Sequence, residues 1–270
     1  PPDEGLYEFK HLPAPTGERP GERFRAEASL VQRSRRRPLS RNESGHTEMS
    51  EFFDNRGRWK VHPSANIRTR VARINLQALA ETDDTLADLL DRDVSVLQEG
   101  RFPGGETCQW GKTEEGYPLL TFRDFQGNEI ARFPRSFSPW SEIADHRVER
   151  PSPDPFVALL GVGLGRFIDL LAAESPDRKI YLWEPNANRM RAALGGADWT
   201  ALFARPNLSW CIGQSAEQFL ETIEESEPEA MRNLPVYWRP WIHPGLEIWG
   251  QKEVAPFHPA WIRFYQGLRR

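Results

Sequence analysis

The 270-residue sequence predicts an α/β protein with a parallel sheet covered by helices on both faces, preceded by a small α+β domain. Two observations predict this class. From residue 156 onward, short apolar runs alternate with helical patterns, as in parallel strands joined by crossover helices. Before that region, a helical stretch and a hairpin pattern occur, and a proline-rich segment separates them from it. We expect a tail at 1–48, the α+β domain at 49–150, and the parallel-sheet domain with an aromatic-rich C-terminal tail at 151–270.

The first 48 residues differ in composition from the rest of the chain. They contain the basic cluster Arg33–Arg37, several Pro and Gly, and few large apolar residues. Such a segment cannot bury enough apolar surface to offset the entropy of ordering it, which predicts disorder. A solvated tail is favoured over a patch for an anionic partner. Because Met49 is the first methionine and globular composition begins there, we expect it to be the biological start and the preceding residues to come from an over-extended reading frame.

Helices are predicted at the start of the α+β domain. Apolar residues recur at spacings of three and four from Asn66 to Asp91, which is the helical period. Asp83 and Asp84, directly after Thr82, indicate a break and a new N-cap, because acidic residues are favourable in a first helical turn.

The remainder of this domain is predicted to be rich in β-structure. Val94–Leu97 is a candidate strand. Tyr117–Phe122 and Ile130–Phe133 are predicted to pair as a hairpin through a turn at Gly127-Asn128. A short helix is expected in the connector at Trp140–His146.

The parallel-sheet domain shows the clearest alternation of strand and helix. Val157–Leu160 is a continuous apolar run, as expected for a strand that is buried on both faces. A fourth strand with a recognisable motif is not evident, since prolines interrupt 233–241. The expected strands and helices, in chain order, are Val157–Leu160, Arg166–Glu174, Lys179–Trp183, Asn186–Leu194, Leu208–Ile212 and Ala216–Glu225.

A glycine loop between the first strand and its helix is the main candidate site. Gly161, Gly163 and Gly165 would let the chain turn sharply and let a ligand approach the backbone, with the phosphates at the helix N-terminus. Glu184 follows the next strand and could accept hydrogen bonds from a ribose, and Gln214 follows the third strand. The alternative is that these glycines only let helix and strand pack closely. If a ligand binds, we expect Gly163→Val to abolish binding and leave the fold largely intact.

Four segments together resemble the Rossmann-like domain of bacterial motility accessory factors. They are Leu160–Gly165, Trp183–Asn186, Asp198-Trp199 and Gly213. These factors are flagellin glycosyltransferases related to MptE-like pterin pyrophosphokinases, and a similar unit is found in CgeB-like glycosyltransferases. The resemblance covers roughly 66–245, and its specific part is the glycine loop together with Glu-Pro-Asn after the second strand.

The resemblance implies an accessory nucleotide-binding-type domain that acts in protein (flagellin) or glycan modification. The ligand would be a nucleotide sugar, and the partner a catalytic transferase domain or a protein acceptor. In the family, a further domain opens with a Gly-Pro-Ser-Leu motif that carries the sugar-nucleotide chemistry. That motif is not found in these 270 residues, so the resemblance implies a domain that is not catalytic alone, and it identifies no catalytic residue.

Two other functions remain open from the sequence. A class I methyltransferase would hold S-adenosylmethionine with the same glycines and Glu184. However, such enzymes usually carry an acid where Gln214 stands. A non-catalytic interaction module that has lost its ligand is the third possibility.

Composition argues against several other classes. The net charge of −4 provides no field that would attract nucleic acid. Only Cys108 and Cys211 occur, far apart, which indicates packing thiols and a reducing compartment rather than a disulfide framework or a zinc site. No apolar run reaches the roughly 20 residues of a membrane span, and no signal peptide is evident, so a cytoplasmic location is expected.

Histidines and aromatic residues near the C-terminus favour structural roles. His243 and His258 each precede proline, and their spacing fits no metal-ligand template, so we expect turns or the rim of a pocket and no metal. The aromatic-rich tail is expected to pack back over the sheet and bury its rings.

Overall fold

The computed structural model describes residues 48–92, 95–134, 155–174, 176–235, 238, 240–246 and 248–268. All of them lie in a unit that runs from Glu43 to Arg270. The predicted tail up to residue 47, the predicted helix at Trp140–His146 and the predicted domain boundary near residue 150 lie outside the described residues.

Three helices follow residues 48–64, namely α1 (Ala65–Ala80), α2 (Asp84–Asp91) and α3 (Ser95–Glu99). The helices predicted over 66–91 are confirmed. The strand predicted at Val94–Leu97 is wrong, because residues 95–99 form α3. Two consecutive apolar residues do not distinguish a strand from a short helix, and this helix precedes Gly100, which has a φ of +66°.

Asp83 caps α2 as its position predicts. Its side chain accepts a hydrogen bond of 2.9 Å from the backbone N–H of Leu86. We expect Asp83→Ala to lower the free energy of unfolding by about 1 kcal/mol, because one amide of the first turn loses its acceptor. Urea denaturation measures this effect, with Asp88→Ala on the exposed side of the same helix as the control. Equal midpoints for the two variants would show that the cap contributes nothing.

An antiparallel sheet follows in the order β1-β2-β3, with strands at Thr107–Lys112, Pro118–Arg123 and Glu129–Phe133. The predicted hairpin is confirmed as β2 and β3. Asp124 organises its turn by accepting hydrogen bonds from the backbone N–H groups of Gln126 and Asn128, each at 2.9 Å. The strand β1 is an addition that the sequence pattern did not predict.

A parallel four-stranded sheet forms the second layer, in the order β6-β5-β4-β7. Its strands are β4 (Phe156–Leu160), β5 (Lys179–Glu184), β6 (Leu208–Ile212) and β7 (Trp241–Ile242). All five residues of β4 are buried, which requires cover on both faces of the sheet. The flanking helices are α4 (Arg166–Glu174), α5 (Ala187–Leu194), α6 (Thr200–Phe203), α7 (Ala216–Ser226), α8 (Pro228–Asn233) and α9 (Ile248–Leu268).

These elements confirm the predicted fold class. A parallel Rossmann-like sheet flanked by helices lies beside a small antiparallel sheet. The three predicted strands and three predicted helices of the parallel-sheet region are found within one residue of their expected ends. The fourth strand, β7, has only two residues and pairs with β4 through Leu159 and Leu160.

Much of the aromatic-rich tail is helical, and three of its rings, those of Trp238, Phe257 and Trp261, are buried as predicted. Phe257 and Trp261 on α9 are buried, with their ring centroids 5.7 and 5.2 Å from that of Trp238. The extended turn predicted at His258-Pro259 is wrong, because both residues lie within α9. Although α9 has 21 residues, neither it nor another described helix is long and apolar enough to cross a membrane.

Asn75 joins α1 to the parallel-sheet layer. It is fully buried, and its Nδ2 donates to the carbonyl oxygens of Leu194 and Ala197, each at 2.8 Å. Its Oδ1 accepts from the backbone N–H of Trp199 at 2.9 Å. The segment 194–199, which contributes to the candidate site, is thus held by one side chain from the first helix.

Candidate functional site

The glycine loop lies where the order of the parallel strands reverses. From β4 the chain proceeds to β5 and β6 on one side, whereas β7 pairs with the other side of β4. Open α/β sheets bind ligands at the carboxyl ends of the strands at such a reversal. The loop follows the carboxyl end of β4, and His243 follows the carboxyl end of β7. Both segments therefore face the crevice in which a ligand is expected.

The chain's own side chains pack tightly against the three loop glycines. Gly161, Gly163 and Gly165 have φ values of +88°, +55° and +81°. A Cβ atom at Gly163 would collide with the imidazole of His243, and one at Gly161 would collide with Leu246. Backbone conformation and packing both require glycine at these positions, so their presence does not by itself indicate a bound phosphate.

His243 is held firmly against this loop. Its backbone N–H donates to the carbonyl of Leu160 at 2.9 Å, and its Nδ1 accepts from the backbone N–H of Gly245 at 3.0 Å. The second bond requires Nδ1 to be unprotonated, which leaves the ring proton on Nε2, the nitrogen beside Gly163. Edge contacts with Phe133 and Phe167, at centroid distances of 4.9 and 5.4 Å, hold the ring plane.

Glu184 stands at the end of β5, as predicted for a ribose-binding acid. The residue is only 2% exposed. Its Oε1 forms an ion pair with the NH1 of Arg189 at 3.2 Å and accepts from the backbone N–H of Asn186 at 3.2 Å. A ribose in the predicted position would therefore have to share this carboxylate with Arg189.

Gln214 lies just beyond the end of β6 and is partly buried. Its carbonyl oxygen accepts from the indole N–H of Trp183 at 2.9 Å, and its Oε1 accepts from the hydroxyl of Thr222 at 3.4 Å. Glu184 and Gln214 thus stand at the carboxyl ends of neighbouring strands, as the sequence predicts, and each has partners within the chain.

A cavity opens beside the glycine loop, between the two sheets. Its interior volume is about 40 Å³, and the space measures about 560 Å³ when the open solvent at its mouth is included. Its walls include Tyr117, which precedes β2, and Phe133 of β3, together with Leu164 and Phe167 from the loop and α4. His243 forms part of the same wall, which agrees with the expectation of a residue at a pocket rim. Aromatic walls of this kind favour an organic ring.

The side chains of His243, Arg166 and Asp198 also line the cavity. Arg166 comes directly after the loop, and Asp198 lies in the segment that Asn75 holds. Asp198 is exposed, and its Oδ1 accepts from the backbone N–H of Thr200 at 3.0 Å. A guanidinium binds oxyanions and a carboxylate accepts from hydroxyl groups, so the cavity suits a ligand that carries both.

The five residues predicted to contact a ligand do not line this cavity. They are Gly161, Gly163, Gly165, Glu184 and Gln214. Two neighbours of the glycines, Leu164 and Arg166, do line it, and the glycine pattern was the signal that could have led to them. Because the partners of Arg166 and His243 come from distant parts of the chain, the sequence pattern alone did not reveal their place in a cavity.

Both cysteines are buried packing residues, as predicted. Burial raises the pKa of Cys108 and raises the pKa of Cys211 to about 12, so both are protonated thiols at neutral pH. Within the part of the chain that the structure describes, no group of three or more His, Cys, Asp or Glu residues could hold a metal ion.

No known family model matches this sequence, and no curated protein matches it. Among solved structures, the chain is similar to the MAf glycosyltransferase from Magnetospirillum magneticum AMB-1, with 14% identity and a TM-score of 0.45. The alignment covers 74% of this chain and 35% of that protein, so this chain corresponds to about a third of its length. The likeness extends to the fold at most.

Proposed function

We propose that this chain is an accessory domain of a glycosyltransferase of the motility-accessory type, which binds a nucleotide-type small molecule and acts in protein or glycan modification. The ligand, a nucleotide sugar, occupies the cavity beside the glycine loop. The domain works with a catalytic transferase domain or a protein acceptor and is not catalytic alone. The glycine loop with Glu184-Pro185-Asn186 is the part of the sequence that supports this class.

The observation that carries the proposal is the position of the cavity. It lies at the carboxyl edge of the parallel sheet, between the segments that follow β4 and β7, where α/β folds bind nucleotides. Its walls combine aromatic rings with Arg166 and Asp198, which together suit a base or sugar ring, an oxyanion and hydroxyl groups.

A non-catalytic interaction module is the second candidate. The packing of His243 on Gly163 and the ion pair between Glu184 and Arg189 favour it, because both occupy places where a nucleotide is normally held. The same ion pair counts against a methyltransferase, since it engages the carboxylate that would bind the ribose of S-adenosylmethionine.

Isothermal titration with a ligand panel tests the proposal. The panel contains uridine, guanosine and cytidine nucleotide sugars together with S-adenosylhomocysteine. We expect a nucleotide sugar to bind and S-adenosylhomocysteine not to bind. Tight binding of S-adenosylhomocysteine would establish the methyltransferase alternative. If no member of the panel binds, the interaction module is the better account.

A further inference from the structure

The turn at 54–59 holds Arg166 at the cavity. The guanidinium NH2 of Arg166 donates to the carbonyl of Arg56 at 3.1 Å. Gly57, with a φ of +74°, lies against the same group, and a Cβ atom there would collide with it. Because Gly57 also lines the cavity, this contact places the charged end of Arg166 at the cavity wall.

The 54–59 turn is itself well ordered by hydrogen bonds. Asp54 accepts from the backbone N–H groups of Arg56 and Arg58, each at 2.9 Å, and from Nε of Arg58 at 2.7 Å. These bonds lower the pKa of Asp54 to about 2, so the carboxylate stays charged at neutral pH. The carbonyl that receives Arg166 is therefore fixed before any ligand arrives.

We propose that Arg166, preset by the 54–59 turn, is the group that selects an oxyanion in the cavity, either a phosphate or a carboxylate. This inference rests on the proposed function in placing the ligand in this cavity. Arg166 is the first residue of α4, so the positive end of the helix dipole adds to its charge. The Asp198 carboxylate on the same cavity opposes a purely anionic ligand and favours one that also carries hydroxyl groups.

The planar guanidinium has five N–H donors, and the bond to Arg56 uses one of its nitrogen atoms. The donors that remain can form a paired contact with an oxyanion, which gives geometric specificity as well as charge. Lysine at this position would keep the charge without the paired geometry. Arg166→Lys is therefore expected to retain part of the affinity that Arg166→Gln loses.

Titration calorimetry at constant ionic strength tests this role with four probes: UDP-glucose, uridine, pyrophosphate and malonate. We expect UDP-glucose and at least one of the two simple oxyanions to bind the wild-type protein, and uridine to bind more weakly. The preferred oxyanion, pyrophosphate or malonate, shows whether the site selects phosphate or carboxylate. Arg166→Gln should weaken oxyanion binding about tenfold or more, the usual value of a charge-assisted hydrogen bond.

Two further variants separate the effect of the position of the Arg166 guanidinium from the effect of its charge. Gly57→Ala keeps the charge of Arg166 but displaces its guanidinium, and it should weaken oxyanion binding in the same direction. Arg263→Gln on α9 removes one arginine from an exposed ion pair with Glu217 and should leave binding unchanged. The melting temperature of ligand-free Arg166→Gln should be close to that of the wild type, because the bond from Arg166 to Arg56 is exposed.

The outcomes distinguish this inference from the proposed function. If UDP-glucose binds Arg166→Gln as tightly as it binds the wild type, the function stands and the role of Arg166 is overturned. If an oxyanion binds through Arg166 and no nucleotide binds, the role of Arg166 stands and the nucleotide function fails. If the wild-type protein binds neither oxyanion, the role of Arg166 is overturned.

Discussion

Asn75→Leu is expected to lower the free energy of unfolding by about 3 kcal/mol or more. The substitution removes three buried hydrogen bonds at once and leaves two carbonyl groups and one N–H group without their partner. Each such buried group costs about 1–3 kcal/mol. Urea denaturation followed by tryptophan fluorescence measures the loss.

Gln77→Leu is the matched control for this variant, because Gln77 is exposed on the same helix. It should change the free energy of unfolding by about 0.5 kcal/mol or less. Asn75→Asp keeps the shape of the side chain but replaces the donating amide by a carboxylate beside two carbonyl oxygens, and it should also destabilise strongly. If Asn75→Leu matches Gln77→Leu, the bridge between α1 and 194–199 does not stabilise the fold.

Gly163→Val is expected to destabilise the protein by about 3 kcal/mol or more. The φ of +55° is unfavourable for a β-branched residue, and the new side chain would collide with the buried ring of His243. The sequence alone suggested that this variant would leave the fold largely intact, and the packing on Gly163 now predicts otherwise. Loss of binding in this variant would therefore not identify a ligand contact.

Gly127→Val provides the control for that variant. Gly127 has a φ of +87°, but no atom lies within 4 Å of the position that a Cβ would take. It carries the backbone strain without the collision, so it should cost about 1–2 kcal/mol. Thermal unfolding of both variants separates the cost of backbone strain from the cost of the collision. An equal loss of stability in both variants would show that His243 moves aside for the new side chain at no cost.

Local patterns were sufficient to predict most of the parallel-sheet region. Apolar runs, glycine turns and caps act within a few residues, so β4, α4 and the cap at Asp83 follow from sequence alone. The helix α9 could not be predicted in this way, because Pro256 and Pro259 oppose a helix locally. Burial of Phe257 and Trp261 against the sheet outweighs that preference, and such burial depends on the folded chain.

The candidate site was predicted only in part. The glycine loop and Glu184 occupy the predicted places, since strand ends and turns are local features. The contacts of these residues with His243, Leu246 and Arg189 depend on the tertiary arrangement. Likewise, Gly57 and Arg166 are far apart in sequence and meet only because the 54–59 turn packs beside α4. Spacing rules carry no information on such pairs.

A crystal structure of the protein grown with UDP-glucose tests the central claim most directly. We expect electron density for the nucleotide sugar in the cavity walled by Phe133, Phe167 and His243, with the diphosphate near Arg166. The ion pair of Glu184 with Arg189 should remain unchanged. Density for the ribose on Glu184, with His243 moved away from Gly163, would contradict this binding mode. A cavity that stays free of ligand would also contradict it.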